Sequence, residues 1–308
     1  VSRLTAVSDL IQPFVLEVPA LRGRLVRLGP LVETVLSRHD YPPSVAVLLG
    51  EMLALAGVLS STLKFDGVFT LQTKGDGPVG LAVVDMTTEG EMRAYAEFDA
   101  ARLAGPAAAP DGHGAGARAL LGEGYIAFTV DQGPHTERYQ GIVELRGGTL
   151  ADCLQHYFRQ SEQLKTAVKL AAGRIDGSWR AGGLLLQQLP ETEAEANAAA
   201  LANDEEDNWR RAVVLMASCT EHELLDPALP DHDLLFRLFH NERVRVYRER
   251  PLTTGCRCSQ ERLQRILRSL PRDEVTEMMV GGEVIMTCQF CNAEYRFDEA
   301  ALERIYAP

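Results

Sequence analysis

The chain has 308 residues, 46% of them hydrophobic, enough for real cores and, at about 100 to 200 residues per domain, pointing to two units. Acids outnumber bases by 43 to 31, giving a formal charge of −12, and a surface of that sign repels phosphate, so duplex DNA and polyanions in general are poor partners. The most apolar stretch, Val45 to Leu59, is interrupted by Glu51 and falls short of the roughly 20 residues of a membrane span. No transmembrane helix is expected. Glu17, Arg22, Arg24 and Arg27 break any apolar signal core near the start. Reducing cytosol is therefore the expected compartment, where six cysteines serve as ligands, catalysts or core fillers rather than as a disulfide framework.

The run from Ser44 to Leu63 is almost wholly apolar or small and follows Pro42 and Pro43, which predicts a largely buried helix. After it come five runs of β-branched and aromatic character: Val68 to Thr73, Val79 to Met86, Glu91 to Phe98, Tyr125 to Asp131 and Tyr139 to Leu145. Their short, turn-rich spacers suit antiparallel pairing. Residues 100–116 are small and rich in Gly and Pro, hence an expected exposed loop. At Thr149 the period changes: Leu150, Cys153, Leu154, Tyr157 and Phe158 recur at helical spacing, with Thr149 as cap and Asp152 in the first turn. Strand-like runs follow at Thr166 to Arg174 and Leu184 to Leu189.

Between Glu191 and Asp207 lie seven acids and no Lys or Arg, mixed with alanines, which reads as a linker with helical propensity and little apolar surface to hold it down. Trp209, Ala212, Val213 and Met216 then form an apolar stripe over two turns, and a further short helix is expected from Asp233 to Phe239. The architecture expected is α+β: an antiparallel-sheet core with packed helices over residues 1–190, an acidic helical linker over 191–249, and a small metal-binding domain over 250–308.

That last segment carries the strongest signal. Cys256 and Cys258 form one close pair and Cys288 and Cys291 another, separated by the spacer from Ser259 to Thr287. Two such pairs match the demand of tetrahedral Zn²⁺ for four thiolates at about 2.3 Å. Ser259 can cap a helix with Leu263, Ile266, Leu267 and Leu270 on one face, and Gly281-Gly282 turns into a strand from Glu283 to Thr287, so both pairs can meet. Four sulfurs leave no open position for water, which argues against a catalytic zinc. Two readings stand: a permanent structural ribbon, or a redox-labile site, since each close pair can close on itself and strip the metal of its ligands.

In combination with LKFDGVFTLQTKGDGPVGLAVVD (Leu63 to Asp85), TVDQGPHTERYQGIVEL (Thr129 to Leu145), YFRQSEQLKT (Tyr157 to Thr166) and RAGGLLLQQLP (Arg180 to Pro190), the cysteine pattern resembles the thirty-three-kilodalton heat-shock chaperonin family. The resemblance spans nearly the whole chain. It implies a redox-regulated, ATP-independent holdase of the cytosol that is inactive when reduced and zinc-bound. Oxidants then form two disulfides, release zinc, unfold the C-terminal switch and free the linker, exposing a surface for unfolding client proteins, and the oxidised form is a homodimer. Carried onto this sequence, the zinc ligands are Cys256, Cys258, Cys288 and Cys291, and the disulfides join Cys256 to Cys258 and Cys288 to Cys291.

Other signals compete weakly. Gly75, Gly77 and Gly80 satisfy G-x-G-x-x-G, but a strand follows where a nucleotide site needs a helix, so a hairpin turn is expected. Cys153 and Cys219 read as buried thiols, and Arg257 and Arg296 as surface residues or as counter-charges to a tetrathiolate. Neither H-E-x-x-H nor G-x-S-x-G occurs, so hydrolase chemistry lacks its parts and no enzyme is expected. A thiol oxidoreductase using Cys288 and Cys291 lacks a thioredoxin-like context. A zinc-ribbon nucleic-acid binder is disfavoured because residues 251–308 hold seven Arg, no Lys and nine acids.

Overall fold

The computed structural model describes residues 9–17, 21–103, 116–131, 139–162, 164–188 and 204–307. Two compact units divide at Thr254/Gly255. In the first, strands β1 (Leu10–Leu16), β2 (Leu21–Leu28), β8 (Thr166–Ile175), β9 (Ser178–Gln188) and β10 (Val244–Val246) form one antiparallel sheet in the order β10-β1-β2-β9-β8, with β11 (Arg250–Pro251) also paired to β1. Strands β3 (Val68–Gly75), β4 (Val79–Thr87), β5 (Glu91–Phe98), β6 (Gly124–Asp131), β7 (Tyr139–Glu144) and β12 (Thr253–Thr254) form the second, in the order β12-β5-β4-β3-β6-β7. Among the described residues only the short β12–β5 pairing is parallel.

Helix α2 (Pro43–Ser60), which follows α1 (Pro30–Leu36), touches β2, β8 and β9 of one sheet and β3, β4 and β5 of the other. A helix between two sheets is mostly shielded from solvent, which is why its sequence is apolar nearly all round rather than striped. It is long and apolar enough to resemble a membrane span, yet 78% of that stretch is buried within the protein. Met52, Leu53, Ala56 and Val58 on α2 join Val26, Phe69, Val84 and Leu185 in this inter-sheet core. The predicted cap at Thr149 is present: its side chain accepts the Asp152 N–H at 3.1 Å and begins the helix Leu150–Tyr157.

The expected strands of the second sheet all form and pair with their neighbours, with one register shift in β4–β5 between Val79 and Leu81. In the glycine motif, a β-carbon at Gly75 would lie 1.9 Å from the Leu121 carbonyl, and one at Gly77 2.4 Å from that of Leu120. These glycines admit a neighbouring loop, and the segment is the β3–β4 hairpin. Strand β9 begins at Ser178, ahead of the expected Leu184, because Ala181, Gly182 and Gly183 are too small to signal a strand although they pair fully with β2 and β8. Of the expected loop, residues 100–103 form a short helix, 104–115 lie outside the described residues, and Ala117–Leu121 is helical.

Most of the acidic stretch, residues 189–203, also lies outside the described residues. From Asp204 the chain forms three helices, Asp204–Ser218, Glu221–Leu225 and Asp231–Phe239, referred to below as the cover. They lie over the other face of the β1-β2-β8-β9 sheet. Ala212, Met216, Cys219, Leu224, Leu234, Leu235 and Phe239 pack there against Phe14, Leu16, Leu21, Leu25, Leu184 and Leu186.

Candidate metal centre

The second unit is small. A hairpin of β13 (Glu283–Thr287) and β14 (Glu294–Asp298) packs with helices Gln260–Arg268, Arg272–Glu277 and Glu299–Tyr306. Its buried core is Leu267, Val275, Val284, Phe297, Leu302 and Ile305, too little apolar volume to secure a fold without a staple. Ser259 caps the first helix as expected, accepting the Arg262 N–H at 3.2 Å. That cap ends the extended segment carrying Cys256 and Cys258. Cys288 and Cys291 sit in the tight β13–β14 turn, where the Cys288 N–H donates to the Ala293 carbonyl at 2.9 Å and the Asn292 N–H to the Cys288 carbonyl at 2.8 Å. Asn292 closes that turn with φ of 58°, a left-handed conformation that asparagine tolerates better than most residues.

The four sulfurs converge within 4.8 Å of one another. Cys256 Sγ lies 3.6 Å from Cys288 Sγ, and Cys258 Sγ 3.3 Å from Cys291 Sγ. A tetrahedron of metal–sulfur bonds near 2.3 Å has edges of about 3.8 Å, so the cage has the right size for one such ion. The donor chemistry agrees. Burial, together with bonds to the neighbouring sulfurs, pushes the Cys291 thiol up to about 12, and burial also raises Cys258. A divalent cation at the centre would reverse this cost and hold the sulfurs as thiolates.

Tyr295, on β14, was not anticipated. Its hydroxyl donates to Cys258 Sγ at 3.1 Å, and this bond is the main reason its own phenol is pushed up to about 12. The available signal was the alternation of Tyr295 and Phe297 just after the second cysteine pair, which places them on one face of a strand. Arg296 is on the opposite face, bonded to Glu283 at 3.1 Å and Glu294 at 3.0 Å. It is engaged by carboxylates and does not act as the counter-charge considered above. Cys153 and Cys219 stand apart in the first unit, both buried. Burial lifts the Cys219 thiol to about 11 and raises Cys153 as well, so both are poor nucleophiles.

A profile described as "Hsp33 protein" matches residues 9–298. The chain belongs to the Hsp33 family. A 33 kDa chaperonin of Caulobacter vibrioides is 41% identical over 298 residues, 95% of each chain. One of Azotobacter vinelandii is 42% identical over 302 residues, covering 97% of this chain and 95% of the relative. The crystal structure of the Thermotoga maritima 33 kDa chaperonin superposes with a TM-score of 0.79 at 23% identity, covering 97% of this chain and 98% of that one. Family membership makes chaperone function the frame for the site: four converging cysteines able to hold a metal ion in a chaperone fold of mixed helices and antiparallel sheets.

Proposed function

We propose that the protein is a redox-regulated, ATP-independent holdase of the cytosol whose C-terminal unit is a zinc switch held by Cys256, Cys258, Cys288 and Cys291. The single observation that carries this reading is the closure of four sulfurs into one cage of tetrathiolate size within a unit whose own core is minimal. A bound zinc supplies charge stabilisation and the folding free energy the small core lacks, about 10 kcal/mol. Tyr295 orients the Cys258 sulfur.

Oxidation takes two electrons from each cysteine pair. With hypochlorous acid as oxidant, two equivalents accept four electrons, yielding two chlorides, two hydroxides and two disulfides, Cys256–Cys258 and Cys288–Cys291. Disulfide sulfur carries no negative charge, so the four cysteines would no longer hold a metal ion. The second unit then unfolds, and residues 191–249 act as a releasable linker. Release uncovers Phe14, Leu16, Leu21, Leu25, Leu184 and Leu186, now packed beneath the cover, as an apolar surface for unfolding clients. The oxidised, released form is a homodimer.

The test follows zinc release with a chromogenic chelator while hypochlorite is added, alongside suppression of aggregation of a thermally unfolding client. Zinc release and holdase activity should rise together, to one zinc per chain. Maximal activity in the reduced, zinc-loaded protein would overturn the proposal.

A further inference from the structure

Three arginines on the inward face of the first sheet have neutral partners among the described residues. Arg22 and Arg24 alternate along β2, on the side that also presents Val26 to the inter-sheet core. Arg250 on β11 stands opposite Ile11, which stands opposite Val26, so the register brings it to the same side two strands away. Arg22 donates to the Gln187 side chain, Arg24 to the Gly23 carbonyl at 2.8 Å, and Arg250 to the Thr88 carbonyl at 3.1 Å. The Nε of Arg24 is buried with no hydrogen-bond partner. By contrast, the buried arginines Arg27 and Arg93 meet carboxylates, Asp231 and Asp85.

Clustered positive charge in a partly dehydrated place is costly. Burial, then the proximity of Arg22 and Arg250, lowers the affinity of Arg24 for its proton, and burial does the same at Arg22. Three planar guanidinium forks, one of them with an orphaned Nε–H, are an arrangement that recognises a multiply charged oxyanion through bidentate charge-assisted bonds. A net charge of −12 discourages polyanions on the surface at large, but it does not govern the local field where Arg22 and Arg250 lie close to Arg24.

We infer that Arg22, Arg24 and Arg250 form a binding site for a compact oxyanion of phosphate type. By bridging β2 and β11, the anion pins the strand that directly precedes residues 252–254 to the first sheet. This site does not depend on the metal reading, since none of its residues belongs to the second unit.

The probe is inorganic pyrophosphate, titrated by calorimetry into the reduced, zinc-loaded full-length protein at constant ionic strength. The wild type should bind one equivalent, unfold at a higher temperature with ligand, and gain hydrogen-exchange protection at residues 250–254. Arg24→Gln should bind at least tenfold more weakly while its ligand-free unfolding temperature is unchanged or higher, because an uncompensated charge has been removed. Arg250→Gln, a more peripheral change, should weaken binding similarly, whereas Arg296→Gln in the second unit should bind as the wild type does. Absence of binding by the wild type, equal affinity in Arg24→Gln and Arg250→Gln to that of the wild type, or an equal loss in Arg296→Gln would each overturn the assignment.

Discussion

Glu51 is the residue whose environment departs furthest from what its neighbours prepare. It sits on the core helix α2 and lines a cavity of about 390 Å³ that it shares with Glu221 of the cover, Asp152, Lys169, Thr149 and Gln155. Burial, reinforced by Glu221, lifts its carboxyl from 4.5 to about 7. The folded state thus holds this proton more tightly than the unfolded chain. The associated stability is full below pH about 4.5, is lost progressively as pH rises, and is gone above about 7. Glu51→Gln, which stays neutral, should match the wild type near pH 5 and be more stable at pH 8, by about 2 kcal/mol. Urea unfolding at the two pH values checks this, and a variant no more stable at pH 8 would contradict it. Tyr295 makes a second prediction at this scale. Tyr295→Phe removes the hydroxyl bonded to Cys258 and should weaken zinc about tenfold, read by competition with a chelator, without altering the fold. Of these two groups only Glu51 was visible beforehand, as an interruption in an apolar run. Its partner Glu221 belongs to a helix far along the chain, and periodicity reports nothing at that range.

Among the elements, the cover helices matter most, and one buried side chain anchors them. Arg27 of β2 donates to the carbonyls of Leu224, Asp226 and Leu229 and pairs with Asp231 at 3.1 Å. Arg27→Met leaves those acceptors and a carboxylate without their cation. It should loosen the cover, cost about 3 to 5 kcal/mol, and raise holdase activity in the reduced protein. Cys219 reports the same event. It is fully buried where the cover meets the sheet, so iodoacetamide should label it slowly in the reduced, zinc-bound protein and rapidly in Arg27→Met or after oxidation; equal labelling in all states would contradict release. The first and last helices of the cover were legible from their apolar stripes, whereas Glu221–Leu225, little more than one turn long, was not. Strands β1 and β2 were not, because Pro13 interrupts one and Arg22, Arg24 and Arg27 occupy the other, and the short strands β10 to β12 are defined by pairing with β1 and β5 rather than by their own composition.

At the level of the whole molecule, the fold places two kinds of stability in one chain. The first unit owes its stability to a large inter-sheet core around α2, whereas the second has six buried apolar side chains and four clustered sulfurs. The cysteine pattern was the most legible feature in the sequence because a metal site would impose its spacing directly on the chain. The proposed coupling of that site to the cover is not written in any one segment of the sequence. Hydrogen exchange of the full-length protein, with peptides spanning residues 204–239 and 255–307, tests it most directly, before and after hypochlorite has oxidised the four cysteines and released the metal. The account predicts that protection is lost in both regions on oxidation and returns with reductant and zinc. Retained protection over 204–239 in the oxidised, metal-free protein would contradict it.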